Sequence, residues 1–591
     1  MFSARVYPQV AFVLVAFLAI FPARSQQAPI PDTPAGRALT GWLEALNSAD
    51  PARIVAFQQR YGLQGPADAW ISFRTQTGGF DVLSITKSEP LHVEFVATER
   101  SNPTRVSGTL DVTASDPPKL TGPMLTPLPP DASHLLAGAD LDAARAGLPY
   151  QRFSAWLAAF NSGDRSRLEA FLKSNWPSQS VDQDMTLRER TGGFELRALQ
   201  KATPTTLSGF IEARDSDDFV WFNLELQPDG AHYISALRAR PIARPAGFEL
   251  PRMSEPEVFS GLRARLEKDS AADRFSGAVL VTRKGKTLFS GAYGLADRDK
   301  KLPNTLDTRF RIGSMNKMFT ATAILQLVQA GKIGLTDPLG KYLPDYPNRD
   351  VATQVTIHHL LTHTGGTGDI FGPEYDAHRL ELRTLDDYVA LYGKRNLRFE
   401  PGSRWEYSNY GMLLLGIVIE RVSRQSYYDY VAQKIFKPAG MTRSGSQPES
   451  QPVAGRSVGY MRAPAQAEWV PNTDTLPYRG TSAGGGYSTV GDMVRFAEAL
   501  VSNKLLDAKH TQLLLTGKVN AVGSVQYAYG FEDARKPDGT GAVGHGGAAP
   551  GMNGELRIFP KSGYVVAVLA NLDPPAAQRA WMFLELRLDA R

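Results

Sequence analysis

The chain has 591 residues, more than one domain holds, and its 42% hydrophobic and 21% charged content suits ordinary globular cores. A net charge of +5 is a mild excess over this length, and no basic run carries interleaved aromatics, which argues against nucleic acid as a partner. With no cysteine anywhere, disulfides, thiol catalysis and a lipid-modified cysteine are excluded.

Residues 1–25 read as a signal peptide: Arg5 supplies a positive start, 10–21 is an apolar run too short for a comfortable membrane span, and Ala23-Arg-Ser25 offers small residues for cleavage after Ser25. An uncleaved N-terminal anchor is the rival reading. Export without disulfides fits a bacterial periplasm or a secreted bacterial protein.

Residues 33–130 and 147–244 match each other without a gap at an offset of 114. Trp42-Leu-Glu-Ala-Leu-Asn47-Ser-Ala-Asp50 answers Trp156-Leu-Ala-Ala-Phe-Asn161-Ser-Gly-Asp164, and Thr77-Gly-Gly-Phe80 answers Thr191-Gly-Gly-Phe194. The period is too long for a solenoid, so the spacing predicts a tandem pair of α+β domains. Each opens with two helical segments, such as 155–160 and 165–172, and continues in strands, of which 219–226 is the clearest. The Asn-Ser-x-Asp link between the helices resembles NTF2-like domains. The Thr-Gly-Gly-Phe pair reads as a glycine turn followed by a core aromatic. A Pro-rich linker over 245–253 leads to the last domain, 254–591, which is expected to be separable near Pro251.

In that domain 255–268 is an amphipathic helix and 276–283 with 286–292 form a hairpin over Lys284-Gly285. Arg311-Ile-Gly-Ser-Met-Asn-Lys317 then precedes an apolar helical run stopped by Gly331. Ser314 and Lys317 fall one turn apart on one helix face. A serine needs a base to become a nucleophile, and a desolvated lysine can be that base. Ser84-Ile-Thr-Lys87 has the same spacing but none of these surroundings. A second segment, Phe399-Glu-Pro-Gly-Ser-Arg-Trp-Glu-Tyr407-Ser-Asn409, is a loop running into a helix over 410–422, whereas Tyr346-Pro-Asn348 sits in a Pro-rich loop without one. A third, Gly544-His-Gly-Gly-Ala-Ala-Pro-Gly551, leads to strands over 554–559 and 564–570, and a closing helix follows 574. His359 and His363 stand four apart with His358 and His378 near, but no Glu follows His359 and Thr364-Gly365-Gly366 breaks the helix; these read as capping and packing histidines, with no metal.

Over roughly 255–575 the chain resembles the serine β-lactamase and penicillin-binding-protein superfamily, in its class C and carboxypeptidase-like branch. The resemblance rests on Gly-Ser-Met-Asn-Lys317, Thr356-Ile-His-His-Leu-Leu-Thr-His-Thr-Gly365, Tyr407-Ser-Asn409, Gly484-Gly-Gly-Tyr-Ser-Thr-Val-Gly-Asp492 and His545-Gly-Gly547. It implies a β-lactamase/transpeptidase-like α/β domain, an antiparallel sheet flanked by helices beside an all-α lobe, with the third segment on an edge strand lining the cleft. It implies that Ser314 attacks, that Lys317 and Tyr407 move protons, and that the N–H groups of Ser314 and Ala548 form the oxyanion hole. Asn409, His545, Gly546 and Gly547 are then substrate-binding, and His363-Thr-Gly365 is a structural turn.

The function expected is an exported serine hydrolase forming an acyl-enzyme on an ester, amide or peptide bond, with no cofactor. The substrate is a small molecule, peptide or ester, with cell-wall material one source. A β-lactamase or D-Ala-D-Ala carboxypeptidase is the alternative, and a catalytically silent sensor or binding protein a further one. The tandem domains are expected to bind a partner or wall polymer. His545 and Gly546 stand where many relatives carry a cation and a hydroxyl for a substrate carboxylate, which favours neutral substrates unless an arginine such as Arg479 or Arg557 intervenes.

Overall fold

A computed structural model describes residues 28–588 except 64–66, 102–104, 129–134, 229–231, 243, 463–467, 523–524 and 537. The stretch read as a signal peptide, residues 1–25, lies outside the described residues. Among the described residues no helix is long and apolar enough to cross a membrane. The chain divides into two units, residues 1–131 and 132–591.

The first unit runs through helices α1 (Pro34–Ser48), α2 (Pro51–Tyr61) and α3 (Ala67–Thr77), then strands β1 (Phe80–Glu89), β2 (His92–Glu99), β3 (Arg105–Val112) and β4 (Leu120–Pro127), an antiparallel sheet in that order. Thr33 caps α1 by accepting from Gly36 N, and Pro34 follows it at the first turn, where no backbone donor is needed. Along β2 every second residue is buried, so Val93, Phe95 and Ala97 meet Trp42 and Leu46 of α1 in one core.

The second unit begins with α4 (Gly138–Ala146), α5 (Leu148–Ser162), α6 (Arg165–Asn175) and α7 (Val181–Thr191), followed by an antiparallel sheet of β5 (Phe194–Ala202), β6 (Thr206–Ala213), β7 (Phe219–Leu226) and β8 (Ile234–Pro241). The helices α3 and α7 were not expected from sequence. In both domains the asparagine of the interhelical link clamps the first strand. Asn47 Nδ2 donates to Phe80 O (2.9 Å) and Asn47 Oδ1 accepts from Phe80 N (2.9 Å); Asn161 does the same to Phe194 (2.8 and 2.9 Å). Gly79 (φ +88°) and Gly193 (φ +95°) leave room for it, since a Cβ there would lie 2.1 and 2.4 Å from the asparagine oxygen. The two motifs of each domain are thus halves of one joint.

The segment after β8 is not a free spacer. Phe248 packs its ring against Phe210 and Phe219 on the outer face of the sheet, and Arg244 donates to Glu212 (2.7 Å). The second domain also meets the hydrolase domain through three carboxylates. Glu189 pairs with Arg462 and its carbonyl accepts from Arg579 (2.5 Å). Asp215 faces Lys268 and Arg274 (3.5 Å each), and Asp217 meets Arg265 (3.4 Å) and Arg587 (2.9 Å). A cut near Pro251 removes these contacts, leaving Arg274 with Asp269 and Arg587 with Phe583 O.

In the hydrolase domain α8 (Glu255–Ala271), β9 (Gly277–Arg283) and β10 (Lys286–Tyr293) come first, then α9 (Asn316–Gln329), α10 (Asn409–Ser423) and α11 (Val490–Val501). Strands β11 (Val519–Val522), β12 (Val525–Tyr527), β13 (Glu532–Asp533), β14 (Val543–Ala549), β15 (Met552–Phe559) and β16 (Tyr564–Ala570) and helix α12 (Ala576–Leu588) complete it. The antiparallel sheet has the order β10-β9-β16-β15-β14-β13-β12-β11. Val258, Leu262 and Leu584 of α8 and α12 cover one face, against Val566 and Val568. The other face packs on a large core that includes Phe319, Leu325, Leu414, Ile417 and Phe496 of α9, α10 and α11, continuous with the lobe of short helices between residues 349 and 431. One expectation is corrected here: β14 is not the last strand of the sheet. Its ladder to β13 covers only Val543 and Gly544, however, so the stretch from His545 to Ala549 is paired on the β15 side alone and borders the lobe.

Candidate functional site

The site forms where the start of α9 meets β14. Phe310 and Arg311 pair with Ser488 and Tyr487, and Gly485 N donates to Gly313 O (3.2 Å), which fixes the chain entering the turn. Gly313 takes φ +52°, where a side chain is strained, and a Cβ there would also lie 3.1 Å from Met552 Sδ and 3.3 Å from Ala548 N. Ser314 sits in a single 3-10 turn, Gly313–Met315, that runs into α9. On the strand side a Cβ at Gly547 would lie 2.1 Å from Ile312 O. These two glycines let β14 close onto the serine turn and bring Ala548 N beside it.

Lys317 is fully buried at the first turn of α9, a helix buried on nearly every face because it runs through the core. Its Nζ lies 3.1 Å from Ser314 Oγ, 2.7 Å from Asn409 Oδ1 and 2.5 Å from Ala483 O. A neutral amine has two N–H bonds and one lone pair, which matches two carbonyl acceptors and one hydroxyl donor. Burial pulls its pKa down to about 7, against the pull of the Asp369 carboxylate. Tyr407 lies beside Ser314, which eases the effect of burial on its pKa, and its ring centroid is 4.7 Å from Lys317 Nζ. Burial raises its pKa, so it is a phenol at neutral pH, able to give a proton rather than act as a standing base.

Asn409 opens α10, which Ser408 caps by accepting from Gly411 N (2.9 Å). Asn409 N and Nδ2 donate to the two oxygens of Asp369 (3.2 and 3.1 Å), which orients the amide so that its oxygen faces Lys317. His545 is buried with its ring 6.4 Å from that of Tyr407; Nδ1–H donates to Gly546 O (2.6 Å) and Nε2 accepts from Tyr527 O–H (3.1 Å). This pattern is that of a neutral ring, and burial takes its pKa down to about 4. Gly546 lies opposite Glu555 in the ladder, and a Cβ on it would lie 2.8 Å from Glu555 Oε1.

Ser314, Lys317 and Asn409 are therefore joined by hydrogen bonds, with the Tyr407 ring against Lys317 and with His545, Gly547 and Ala548 on the facing strand, while Gly546 backs onto a buried carboxylate. Sequence reasoning missed Asp369, Ala483 and Tyr527. The glycines around Asp369 and before Tyr487 marked both loops as tightly turned, and no local signal marked Tyr527. The Ser84–Lys87 pair lies along β1, where Lys87 pairs with Glu89 (3.0 Å). Tyr346 O–H meets Tyr410 O–H (2.9 Å), and Asn348 caps the helix Arg349–Gln354. The histidines have separate partners: His358 bonds Tyr529, His359 accepts from Thr356 N, His363 accepts from Ser408 N and His378 pairs with Glu381.

The sequence profile of the Beta-lactamase family matches residues 262–589. PbpX of Bacillus subtilis strain 168, provisionally named a penicillin-binding protein, is 32% identical over 298 residues, 50% of this chain and 70% of PbpX. Esterase EstB of Burkholderia gladioli is 34% identical over 289 residues, 42% of this chain and 74% of EstB. A penicillin-binding protein from Bacillus halodurans superimposes with a TM-score of 0.51 at 34% identity, covering 54% of this chain and 99% of that one. On this evidence the chain belongs to the β-lactamase family and is a serine hydrolase related to penicillin-binding proteins and esterases.

Proposed function

We propose that this protein is an exported hydrolase of neutral esters, amides or internal peptide bonds that works through an acyl-enzyme on Ser314. Lys317 takes the hydroxyl proton as Ser314 Oγ attacks the carbonyl carbon. The N–H groups of Ser314 and Ala548 stabilise the oxyanion. Tyr407 passes a proton to the leaving group, and water then attacks the ester with the same groups in reverse. Asn409 keeps one amide hydrogen for a substrate carbonyl while its oxygen holds Lys317.

The observation that carries the preference for neutral substrates is His545. It is buried, neutral and spent on Tyr527 and Gly546, and the next residue has no side chain. The two arginines that could stand in are engaged elsewhere. Arg479 donates to Ser446 O and stacks on Tyr428, and Arg557 is held by Glu532 and Glu555 (2.7 Å each) beneath Trp581. Losing a hydrogen bond to a charged group costs about 1.5–3 kcal/mol, or roughly ten- to a hundredfold in affinity. Penicillins and peptides with a free C-terminal carboxylate should therefore be poor substrates. The test is kcat/KM for a benzylpenicillin-type substrate beside a short-chain p-nitrophenyl ester, together with mapping of a fluorophosphonate label to Ser314. A clear preference for the penicillin would restore the β-lactamase or carboxypeptidase reading, and an unlabelled protein would restore the silent sensor.

The two N-terminal domains are read as two copies of one NTF2-like domain, serving to bind wall polymer or another partner. The common order of helices and strands and the common asparagine clamp support this.

A further inference from the structure

The family resemblance implies that His363-Thr-Gly365 is a structural turn. In the structure the residue at its start is buried and takes φ +58°, uncommon for a residue with a side chain. Its ring lies between those of Tyr407 (4.5 Å between centroids) and Tyr527 (4.6 Å). Its carbonyl accepts from Glu406 N (2.9 Å), and its Nδ1 accepts from Ser408 N (3.3 Å). The residues before and after Tyr407 thus hang from one histidine, and the neighbouring Thr364 carbonyl adds Gly402 N (2.8 Å). An accepting Nδ1 requires the neutral Nε2–H tautomer. Burial, with Lys317 and His545 near, holds the ring well below the usual imidazole range, so it stays neutral, and its buried Nε2 has no hydrogen-bond partner among the described residues. A buried residue in a sparsely populated conformation that brackets a reacting side chain points to function.

We propose that His363 is the positioning residue for Tyr407, fixing the reach of its hydroxyl to Ser314 by anchoring the main chain on both sides of it. The proposal rests on Tyr407 being the proton carrier. A loop free to drift by a fraction of an ångström at Tyr407 would lose the aligned phenol while Ala548 and Asn409, the latter held separately by Asp369, keep their substrate contacts, so the loss falls on turnover rather than on binding.

Two substitutions in the full chain separate the ring from the backbone. Asparagine tolerates positive φ, and its Oδ1 occupies the position of histidine Nδ1, so His363→Asn keeps an acceptor for Ser408 N. His363→Gly keeps the conformation and loses the acceptor. On a short-chain p-nitrophenyl ester His363→Gly should lower kcat about ten- to a hundredfold with KM within about twofold, and His363→Asn should recover most of that loss. In a Tyr407→Phe background the glycine substitution should cost less than about twofold more, because its effect passes through the phenol. An equal loss in both backgrounds, a change confined to KM, or no rescue by asparagine would each overturn the proposal. If the glycine variant does not melt cooperatively, His363→Ser, too short to reach Ser408 N, takes its place in the cycle. Full activity of Tyr407→Phe alone would sink the reading of Tyr407 itself, whereas a crippled Tyr407→Phe with an additive His363→Gly would sink only the role of His363.

Discussion

The two N-terminal domains share a skeleton and differ in what their outer residues do. Both run helices into a four-stranded antiparallel sheet, and both lock the first strand with an asparagine, Asn47 or Asn161. At the positions where the second domain presents Glu189, Asp215 and Asp217 to the hydrolase arginines, the first has Thr75, Ser101 and Pro103. The second domain also has Phe210, Phe219 and Trp221 clustered on the outer face of its sheet beside Phe248, where the first has Val96, Arg105 and Ser107. The two domains are alike inside and differ outside, and with three carboxylates and an aromatic face the second domain belongs to the hydrolase unit, while residues up to 131 form a unit of their own.

The largest effect tests that division. A chain starting at Ala132 should melt cooperatively near the full-length temperature, whereas one starting at Pro251 should lose about 10 °C or more, or fail to stay soluble, because the contacts of Glu189, Asp215 and Asp217 with the hydrolase domain are lost. Equal melting of the two in calorimetry would break the comparison. Next, Asn47→Ala and Asn161→Ala should each destabilise their own domain by about 2–4 kcal/mol in denaturant titrations, since each strands a strand N–H and C=O. A loss in one domain only would show that the shared skeleton is not equally used. Smaller again, Asp217→Ala should cost about 1.5–3 kcal/mol, while Ser101→Ala stays within about 0.5 kcal/mol. The smallest expected effect is none. Lys317 must be neutral to take a proton and its pKa is held down to about 7, so kcat/KM should fall about tenfold per pH unit well below that value and flatten above it. That midpoint should be the same in the chain starting at Ala132; a shift would mean that the first domain reaches the site after all.

The parts of the site legible in the sequence are those with local signals. Ser314 and Lys317 share a helix face, and Tyr407 and Asn409 flank a cap at Ser408. Asp369, Ala483 and Tyr527 reach their partners across 40, 166 and 18 residues, and nothing near them in the chain announces the contact. The helix α7 escaped notice because residues 181–191 hold few apolar side chains; its start is marked by polar signals, Ser180 capping onto Gln183 N and Asp182 and Asp184 in the first turn. The strand order of the large sheet was not legible either, because β9 pairs with β16, from the far end of the domain, and period-two patterns do not say which strands meet.

Gly546 bears on how this hydrolase could change its trade. A serine or threonine there would add a hydroxyl for substrate carboxylates, but its Cβ would lie 2.8 Å from a Glu555 carboxylate that Arg557 holds in place. The hydroxyl is therefore not one mutation away. Glu555 has to shrink first, and that step leaves Arg557 leaning on Glu532 alone, a cost taken before any benefit arrives. The order of the two changes is fixed by packing, so a library randomised at position 546 alone should return glycine, while one randomised at 546 and 555 together opens the route.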